Sequence, residues 1–92
     1  MRKVLLVTGG GRGIGAATCI LAAQKGWAVA VNYTANAKAA DEVVAQIKKA
    51  GGEAMSVHAD VSNEPQVLAM FEKVRSSMGP LQGLVNNAGV ID

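Results

Sequence analysis

A cluster of glycines near the amino terminus constrains this 92-residue chain more than any other feature. Five of its 11 glycines fall between Gly9 and Gly15, directly after the apolar run Lys3–Val7 and directly before a segment of helical period. Glycine adopts positive φ angles freely and lets the backbone approach a ligand closely. A glycine-rich turn between a strand and a helix, with the free N–H groups and dipole of the helix start beside it, predicts a phosphate-binding loop.

Short apolar runs alternate with segments of helical period along the rest of the chain. Uninterrupted apolar runs are typical of strands that are covered on both faces. The predicted strands are Lys3–Val7, Ala28–Val31, Glu53–Ala59 and Leu81–Val85. The resulting βαβαβαβ order, with crossovers long enough for parallel pairing, predicts an α/β fold of the Rossmann type, a doubly wound parallel sheet with strand order 3-2-1-4.

Three predicted helices connect these strands, and the apolar face of each recurs at intervals of three and four residues. Gly26, Gly51 and Gly79 end the three helices, and Ser62 is the predicted N-cap of the third. The positions predicted to face the core are Ile14, Ala17, Ile20 and Leu21 in the first helix, Ala40, Val43, Val44, Ile47 and Ala50 in the second, and Val67, Phe71, Val74 and Met78 in the third.

Composition limits the classes of partner. Half of the residues are hydrophobic and 17% are charged, as in an ordinary globular interior with one core. A net charge of +2 without basic runs, together with three aromatic residues, argues against nucleic-acid binding. One cysteine excludes an internal disulfide and a multi-cysteine metal site, and no apolar stretch has the length of a membrane span. We expect a soluble cytoplasmic protein that binds no metal and no membrane.

The spacing of the glycines indicates which class of ligand a loop of this kind binds. A P-loop needs Lys followed by Ser or Thr after its last glycine, but Ala16 follows Gly15 here, so NTPase chemistry is not expected. A methyltransferase-type loop usually comes with acidic residues, and the chain has none before Asp41. The common dinucleotide fingerprint fits only loosely, whereas Gly9-x-x-x-Gly13-x-Gly15 fits without strain.

Three motifs together resemble those of the short-chain dehydrogenase/reductase family. The glycine cluster is similar to its cofactor motif, Thr8-Gly9-x-x-x-Gly13-Ile14-Gly15. Asp60-Val61, after the third predicted strand, resembles the pair that contacts the adenine ring, and Asn86-Asn87-Ala88-Gly89, after the fourth, resembles a structural and cofactor-lining motif. The match covers the chain as the N-terminal part of a classical-type member, with bacterial 3-oxoacyl-carrier-protein reductases and glucose 1-dehydrogenases equally similar.

The resemblance implies a binding site for a nicotinamide dinucleotide. Asn86 is expected to satisfy backbone groups between strand ends, while the three residues after it bring the backbone close to the ribose. Asp60 has a second interpretation, as a residue that only begins the next helix. The residues predicted to bind the cofactor are Thr8, Gly9, Gly11, Arg12, Gly13, Ile14, Gly15, Asn32, Tyr33, Thr34, Asp60, Val61, Asn87, Ala88 and Gly89.

The end of the second predicted strand indicates which nicotinamide cofactor is bound. An NAD site in this fold places Asp or Glu there, but Val31 is followed by Asn32-Tyr33-Thr34. A carboxylate at this position would repel a 2′-phosphate, and none is present. Arg12 supplies a cation that can pair with such a phosphate. We therefore predict NADP(H) rather than NAD(H), with Arg12, Asn32, Tyr33 and Thr34 around the 2′-phosphate. The alternative for Arg12 is an ordinary solvent-exposed loop residue.

The family resemblance implies an oxidoreductase that transfers hydride between the nicotinamide and a carbonyl or alcohol substrate, with full-length members commonly homotetrameric. The family uses Ser and Tyr-x-x-x-Lys, but Tyr33 is followed by Ala37 where lysine is required, so no catalytic residue is assigned. Residues 1–92 are expected to be the N-terminal dinucleotide-binding part of one Rossmann domain, truncated and inactive alone. The alternatives are a stand-alone dinucleotide-binding module and an inactive fragment; the apolar edge Leu81–Val85 argues against the module.

Overall fold

The computed structural model describes residues 2–87, which form a four-stranded sheet with helices on both faces. All strand pairs are parallel, and the strand order is β3-β2-β1-β4. The predicted α/β class, doubly wound topology and strand order are therefore confirmed. In chain order the elements are β1 (Val4–Thr8), α1 (Gly13–Gln24), β2 (Ala28–Tyr33), α2 (Ala37–Lys49), β3 (Glu53–His58), α3 (Glu64–Met78) and β4 (Leu81–Asn86).

Two apolar layers enclose the central strands. On one face, Cys19 of α1 and Ile47 of α2 share a cluster with Val29 of β2. On the other face, Met70 of α3 shares a cluster with Leu6 of β1. Every residue of β1 is buried, and only the last residue of β2 is partly exposed. Coverage on both faces explains why these two strands read as continuous apolar runs.

The chain reverses direction across the sheet at β1. It leaves β1 through α1 toward β2 and β3, and returns through α3 to β4 on the other side of β1. The register pairs Val7 with Val31 of β2 and Thr8 with Asn86 of β4, so the carboxyl ends of these strands lie at one edge. In doubly wound sheets, ligands bind at this kind of switch point.

The buried face of α1 differs from the prediction. Gly15 and Cys19 are its buried residues, whereas Ile14 is 79% exposed and Leu21 is 55% exposed. The helix begins so close to the end of β1 that a Cβ on Gly15 would overlap the Gly9 carbonyl oxygen. Only small side chains fit between helix and sheet there, so Ile14 and Leu21 face outward, and Ala17 is exposed as well. Ile20, also predicted to face the core, is partly buried and packs against it.

The N-cap of α3 also differs from the prediction. Asn63, not Ser62, is the cap, and its side chain accepts a hydrogen bond from Gln66 N at 3.1 Å. Ser62 instead donates to Asp60 from both its backbone and its hydroxyl. The predicted helix ends are confirmed, since each of the three helices is followed by a glycine with positive φ, namely Gly26, Gly51 and Gly79.

Within the described residues, β4 pairs on one side only and forms an edge of the sheet. Its residues alternate between partly buried and exposed, and Leu84 is 51% exposed. The apolar edge predicted at Leu81–Val85 is thus present, on the face that α3 covers only in part.

Candidate functional site

The glycine loop, residues 9–15, connects the end of β1 to the start of α1. Gly9 and Gly13 have φ values of 63° and 57°, which residues with side chains rarely adopt. Gly15 is required for another reason: a Cβ there would lie 2.8 Å from Asn87 Nδ2 and would overlap the Gly9 carbonyl. The positive φ angles of Gly9 and Gly13 and the close contact at Gly15 therefore allow the loop to pack directly against the end of β1.

Among the described residues, the amino end of α1 differs from those of the other two helices. Its N-cap residue, Arg12, makes no side-chain capping hydrogen bond, and its first turn contains no acidic residue. The starts of α2 and α3, in contrast, are capped by Asn36 and Asn63. The first N–H groups of a helix have no intrahelical acceptor, and the helix dipole adds partial positive charge. This end of α1 is therefore suited to bind a phosphate.

Thr8 and Asn87 connect the ends of β1 and β4 to the glycine loop. The backbone N–H of Asn87 donates to Thr8 Oγ1 at 2.9 Å, and Asn87 Nδ2 donates to the Gly9 carbonyl at 3.1 Å. Thr8 Oγ1 lies 3.2 Å from Asn86 Oδ1, to which it donates. The role expected of Asn86, bonding a backbone group between strand ends, is performed by Asn87.

Asn32 lies beneath the glycine loop and is 0% exposed. Its Oδ1 accepts a hydrogen bond from Gly9 N at 3.1 Å, and its Nδ2 donates to the carbonyls of Ala59 at 3.2 Å and Val57 at 3.4 Å. Its backbone carbonyl accepts from Gly10 N at 2.9 Å. The sequence placed Asn32 beside a 2′-phosphate, but its side chain is directed into the protein, where it supports the loop.

A cleft of about 410 Å³ opens between the glycine loop and the start of α2. Arg12 and Thr34 on its wall are exposed, and Tyr33 is partly buried with its ring edge-on to His58 at 5.5 Å. None of the described residues that line it is acidic. The full lining is Gly9, Gly11, Arg12, Asn32, Tyr33, Thr34, Ala35, Asn36 and Ala39.

The structure thus brings the glycine loop and the end of β2 together, as the sequence indicated. Sequence reasoning missed the contribution of α2, whose start supplies Asn36 and Ala39 to the same cleft. Asn36 carried a signal that could have revealed it, because asparagine directly before a helical segment is a common N-cap. Here its Oδ1 accepts from Ala39 N at 3.0 Å.

Asp60 begins the turn between β3 and α3. Its Oδ1 accepts hydrogen bonds from Ser62 Oγ at 2.7 Å and Ser62 N at 2.9 Å, and its own N–H donates to Gln66 Oε1 at 2.8 Å. The bonds from the hydroxyl and then the backbone of Ser62, with a smaller attraction to His58, lower the pKa of Asp60 below its usual 3.8. The carboxylate is held ionised near the edge where the glycine loop lies.

Val61 belongs to a different cleft, on the α3 side of the sheet, which it lines with Thr8 and Asn86. Neither Asp60 nor Val61 lines the cleft that contains Arg12. Ala88 and Gly89, also predicted to bind the cofactor, lie outside the described residues.

Other kinds of site were sought across residues 2–87. No helix in that range is long and apolar enough to cross a membrane. The same range has no group of three or more His, Cys, Asp or Glu residues that could hold a metal ion.

Many families of dinucleotide-binding proteins have a glycine loop at the switch point of a parallel sheet. Comparison with known proteins identifies the family to which this chain belongs. The family model for short chain dehydrogenases matches residues 3–92. The chain belongs to the short-chain dehydrogenase/reductase family. The family that the three sequence motifs indicated is confirmed, and the match includes the glycine loop, the Asp60 turn and the segment after β4.

Curated members of the family are similar over nearly the whole chain. The uncharacterized oxidoreductase YgfF of Escherichia coli is 53% identical over 88 residues, which are 96% of this chain and 36% of that protein. The 3-oxoacyl-[acyl-carrier-protein] reductase FabG of Staphylococcus aureus is 42% identical over 90 residues, 98% of this chain and 37% of that protein. The short-chain dehydrogenase/reductase homolog YusS of Bacillus subtilis is 43% identical, and this chain covers 83% of it.

Solved structures of the family share the fold. A variant of a Serratia marcescens short-chain dehydrogenase/reductase has a TM-score of 0.93 and 40% identity, covering 98% of this chain and 37% of that one. A dehydrogenase/reductase from Sinorhizobium meliloti also has a TM-score of 0.93 and 40% identity. The chain therefore spans little more than a third of YgfF, of FabG and of the Serratia structure.

Proposed function

We propose that this chain is the NADP(H)-binding part of an oxidoreductase that transfers hydride between a nicotinamide and a carbonyl or alcohol substrate. The observation that carries the proposal is the uncapped start of α1 beside a cleft that contains Arg12 and no carboxylate. The cofactor supplies the hydride chemistry when it is bound. The residues of this chain bind it, orient it and select the phosphorylated form.

The pyrophosphate fits the glycine loop. The N–H groups at the start of α1 lack both intrahelical acceptors and a capping side chain, so two phosphates can accept from them. A Cβ at Gly13 would meet no atom within 4 Å, which leaves open space above the loop. Ile14 is exposed beside it, and a bound dinucleotide would cover this apolar side chain.

The 2′-phosphate fits the cleft between the loop and α2. Arg12 provides a guanidinium that can make charge-assisted hydrogen bonds with a phosphate, and the hydroxyl of Tyr33 provides a neutral donor. Thr34 Oγ1 donates to the Ala59 carbonyl at 3.4 Å and would have to rotate to reach the phosphate. The first turn of α2 contains no acidic residue. Because no carboxylate on the described lining would bond the ribose hydroxyls or repel a phosphate, NADP(H) is favoured over NAD(H).

The test measures the affinity of NADP⁺ and of NAD⁺ for the wild-type chain, Arg12→Ala and Arg75→Ala by isothermal titration calorimetry. Arg75 is a matched control, an exposed arginine on α3 that pairs with Glu72. We expect Arg12→Ala to weaken NADP⁺ by roughly 10- to 100-fold, the contribution of a charge-assisted hydrogen bond, and to leave NAD⁺ nearly unchanged. Equal losses for both cofactors would contradict the role of Arg12.

A second candidate is a dinucleotide-binding module that does not catalyse. The length of YusS favours it, since this chain covers 83% of that relative. Tyr33 is the one tyrosine of the sequence and lacks the lysine four residues later, so hydride transfer needs residues from outside this segment. Oxidation of NADPH by the 92-residue chain with carbonyl substrates would contradict that requirement. The homotetramer and the cytoplasmic location expected for a full-length member belong to the same proposal.

A further inference from the structure

Asn32 and Thr8 are the two buried polar side chains among residues 2–87, and Asn32 is the one that is completely shielded. Its amide contacts segments on both sides of β2. Oδ1 accepts from Gly9 N at 3.1 Å, on the glycine loop, and Nδ2 donates to the Ala59 carbonyl at 3.2 Å, at the start of the Asp60 turn (residues 60–63). Two longer contacts, each of 3.4 Å, join Nδ2 to the carbonyls of Val57 and Tyr33.

The chemistry of these contacts requires a side chain that accepts a hydrogen bond on one side and donates on the other. Asparagine presents an acceptor on one side and two donors on the other, which matches an N–H on the glycine loop and two carbonyls at the end of β3. An apolar side chain would remove the acceptor of Gly9 N and would leave the Ala59 carbonyl with the longer contact from Thr34 Oγ1 at 3.4 Å, at a cost in desolvation. An ionised aspartate would place negative charge against the carbonyl oxygens of Val57 and Ala59.

Backbone hydrogen bonds hold the strands together up to this point and no further. Gly10 N donates to the Asn32 carbonyl at 2.9 Å, and Ala59 N donates to the Tyr33 carbonyl at 3.1 Å. Beyond these bonds, the glycine loop turns toward α1 and the Asp60 turn leads to α3 on the opposite face. The side chain of Asn32 bridges the two segments where they separate.

We infer that Asn32 is a positioning residue, which holds the glycine loop and the Asp60 turn in one relative arrangement so that both parts of a dinucleotide are bound together. The effect on the ligand rests on the proposed function. The coupling of the two segments does not, since it follows from hydrogen bonds within the protein.

The first experiment measures amide hydrogen exchange by NMR in the wild-type chain and Asn32→Ala. Loss of the Oδ1 acceptor should accelerate exchange at Gly9 N on the order of tenfold relative to Val29 in the centre of β2, because local opening then exposes it. It should also shift the resonances of the Asp60 turn. Unchanged exchange at Gly9 and unchanged shifts at the Asp60 turn would overturn the inference.

The second experiment measures how NADP⁺ affinity depends on pH in the variant Asn32→Asp. A purely structural defect would lower the affinity equally at every pH, whereas the proposed role depends on whether the new carboxyl group is protonated. The protonated acid accepts from Gly9 N and donates through its O–H to the Ala59 carbonyl, whereas the ionised acid cannot donate. Burial favours the protonated form. The ratio of the NADP⁺ affinity of Asn32→Asp to that of the wild type should be near one at pH 5 and should fall on the order of tenfold by pH 8.

Controls separate this effect from other titrations. Tyr33, His58 and Asp60 on the neighbouring segments, and the cofactor phosphate, are the same in every variant, so their contributions cancel in the ratio to wild type. Asn32→Ala should show a constant loss at both pH values. Gln46→Glu makes the same change from amide to acid at an exposed position of α2 that does not line the cleft, and should show a ratio of one throughout.

A ratio for Asn32→Asp that is the same at pH 5 and pH 8 would overturn the inference. If Asn32→Ala does not fold, as judged by circular dichroism, exchange at Gly9 relative to Val29 is compared in Asn32→Asp at the two pH values, with the same expected direction. If the wild-type chain binds neither NADP⁺ nor NAD⁺, the proposed function fails, and exchange at Gly9 alone decides whether Asn32 couples the segments.

Discussion

Single residues in the site act through small size or through one hydrogen-bonding pattern. Gly15 has no room for a Cβ against the Gly9 carbonyl, and Asn87 then donates to that same carbonyl at 3.1 Å. Cys19 packs below the loop, where a Cβ on Gly10 would lie 2.9 Å from its Sγ. The glycine loop is therefore specified from below by contacts as well as by its own backbone angles.

The thiol of Cys19 provides a test of this packing. It is 0% exposed, and burial raises its pKa from 9.0 to about 12, with a backbone hydrogen bond acting weakly in the other direction. At neutral pH we expect a thiol reagent such as DTNB to react at least about tenfold more slowly with the native chain than with the chain in urea. Equal rates in the two states would contradict a closed packing under the loop.

The sign of the pH dependence follows from the same shift. The folded pKa of Cys19 is above the unfolded value, so the contribution of the neutral thiol to stability is complete below pH 9 and is lost as the pH rises from 9 toward 12.

At the scale of elements, the three helices begin in two different ways. Asn36 and Asn63 cap α2 and α3, while α1 starts without a capping side chain. An uncapped start is destabilising by about 1 kcal/mol, which a bound phosphate can offset. The helix at the switch point of the sheet is thus the one that begins without a side-chain cap.

Removal of the Asn63 cap should show how much a capping side chain contributes to the free energy of unfolding. We expect Asn63→Ala to lower the free energy of unfolding by about 1 kcal/mol, because Gln66 N loses its acceptor, and Asn63→Asp to retain it. Urea denaturation followed by circular dichroism measures both. A midpoint for Asn63→Ala equal to that of the wild type would show that the cap contributes nothing.

At the scale of the whole molecule, the described sheet ends in an edge strand, β4, with Leu84 half exposed on the α3 side. An apolar edge with unpaired backbone groups favours pairing with another chain. The central strands, covered on both faces, carry no such exposure. We therefore expect the apolar β4 edge to promote self-association.

We expect Leu84→Lys to reduce self-association of the 92-residue chain, because a charge on an edge strand opposes edge-to-edge pairing. Sedimentation velocity over a concentration series measures the change. Leu21→Lys is the control, since Leu21 is similarly exposed but lies on α1 away from the edge. If both variants reduce association equally, general apolar exposure and not the β4 edge is responsible.

Local patterns in the sequence determined the elements and their order. Continuous apolar runs indicated the buried strands, and the glycine loop indicated the switch point, since both depend on neighbours within a few residues. Of the predicted α2 face, Ala40, Val43 and Ile47 are buried and Val44 is partly buried, whereas Ala50, at the C-cap, is exposed.

Tertiary structure alone decided the inward face of α1 and the function of Asn32. Periodicity favoured Ile14 and Leu21 as core residues, but α1 begins so close to β1 that Gly15 and Cys19 are its fully buried residues, while Ile20 packs against the core in part. The position of Asn32 at the end of β2 predicts contact with the ligand. Its side chain instead bonds Gly9 and Ala59, which lie more than 20 residues away on either side in the sequence. Sequence spacing determines which face of an isolated element is apolar, whereas distances between segments far apart in the chain determine what fits and what bonds there.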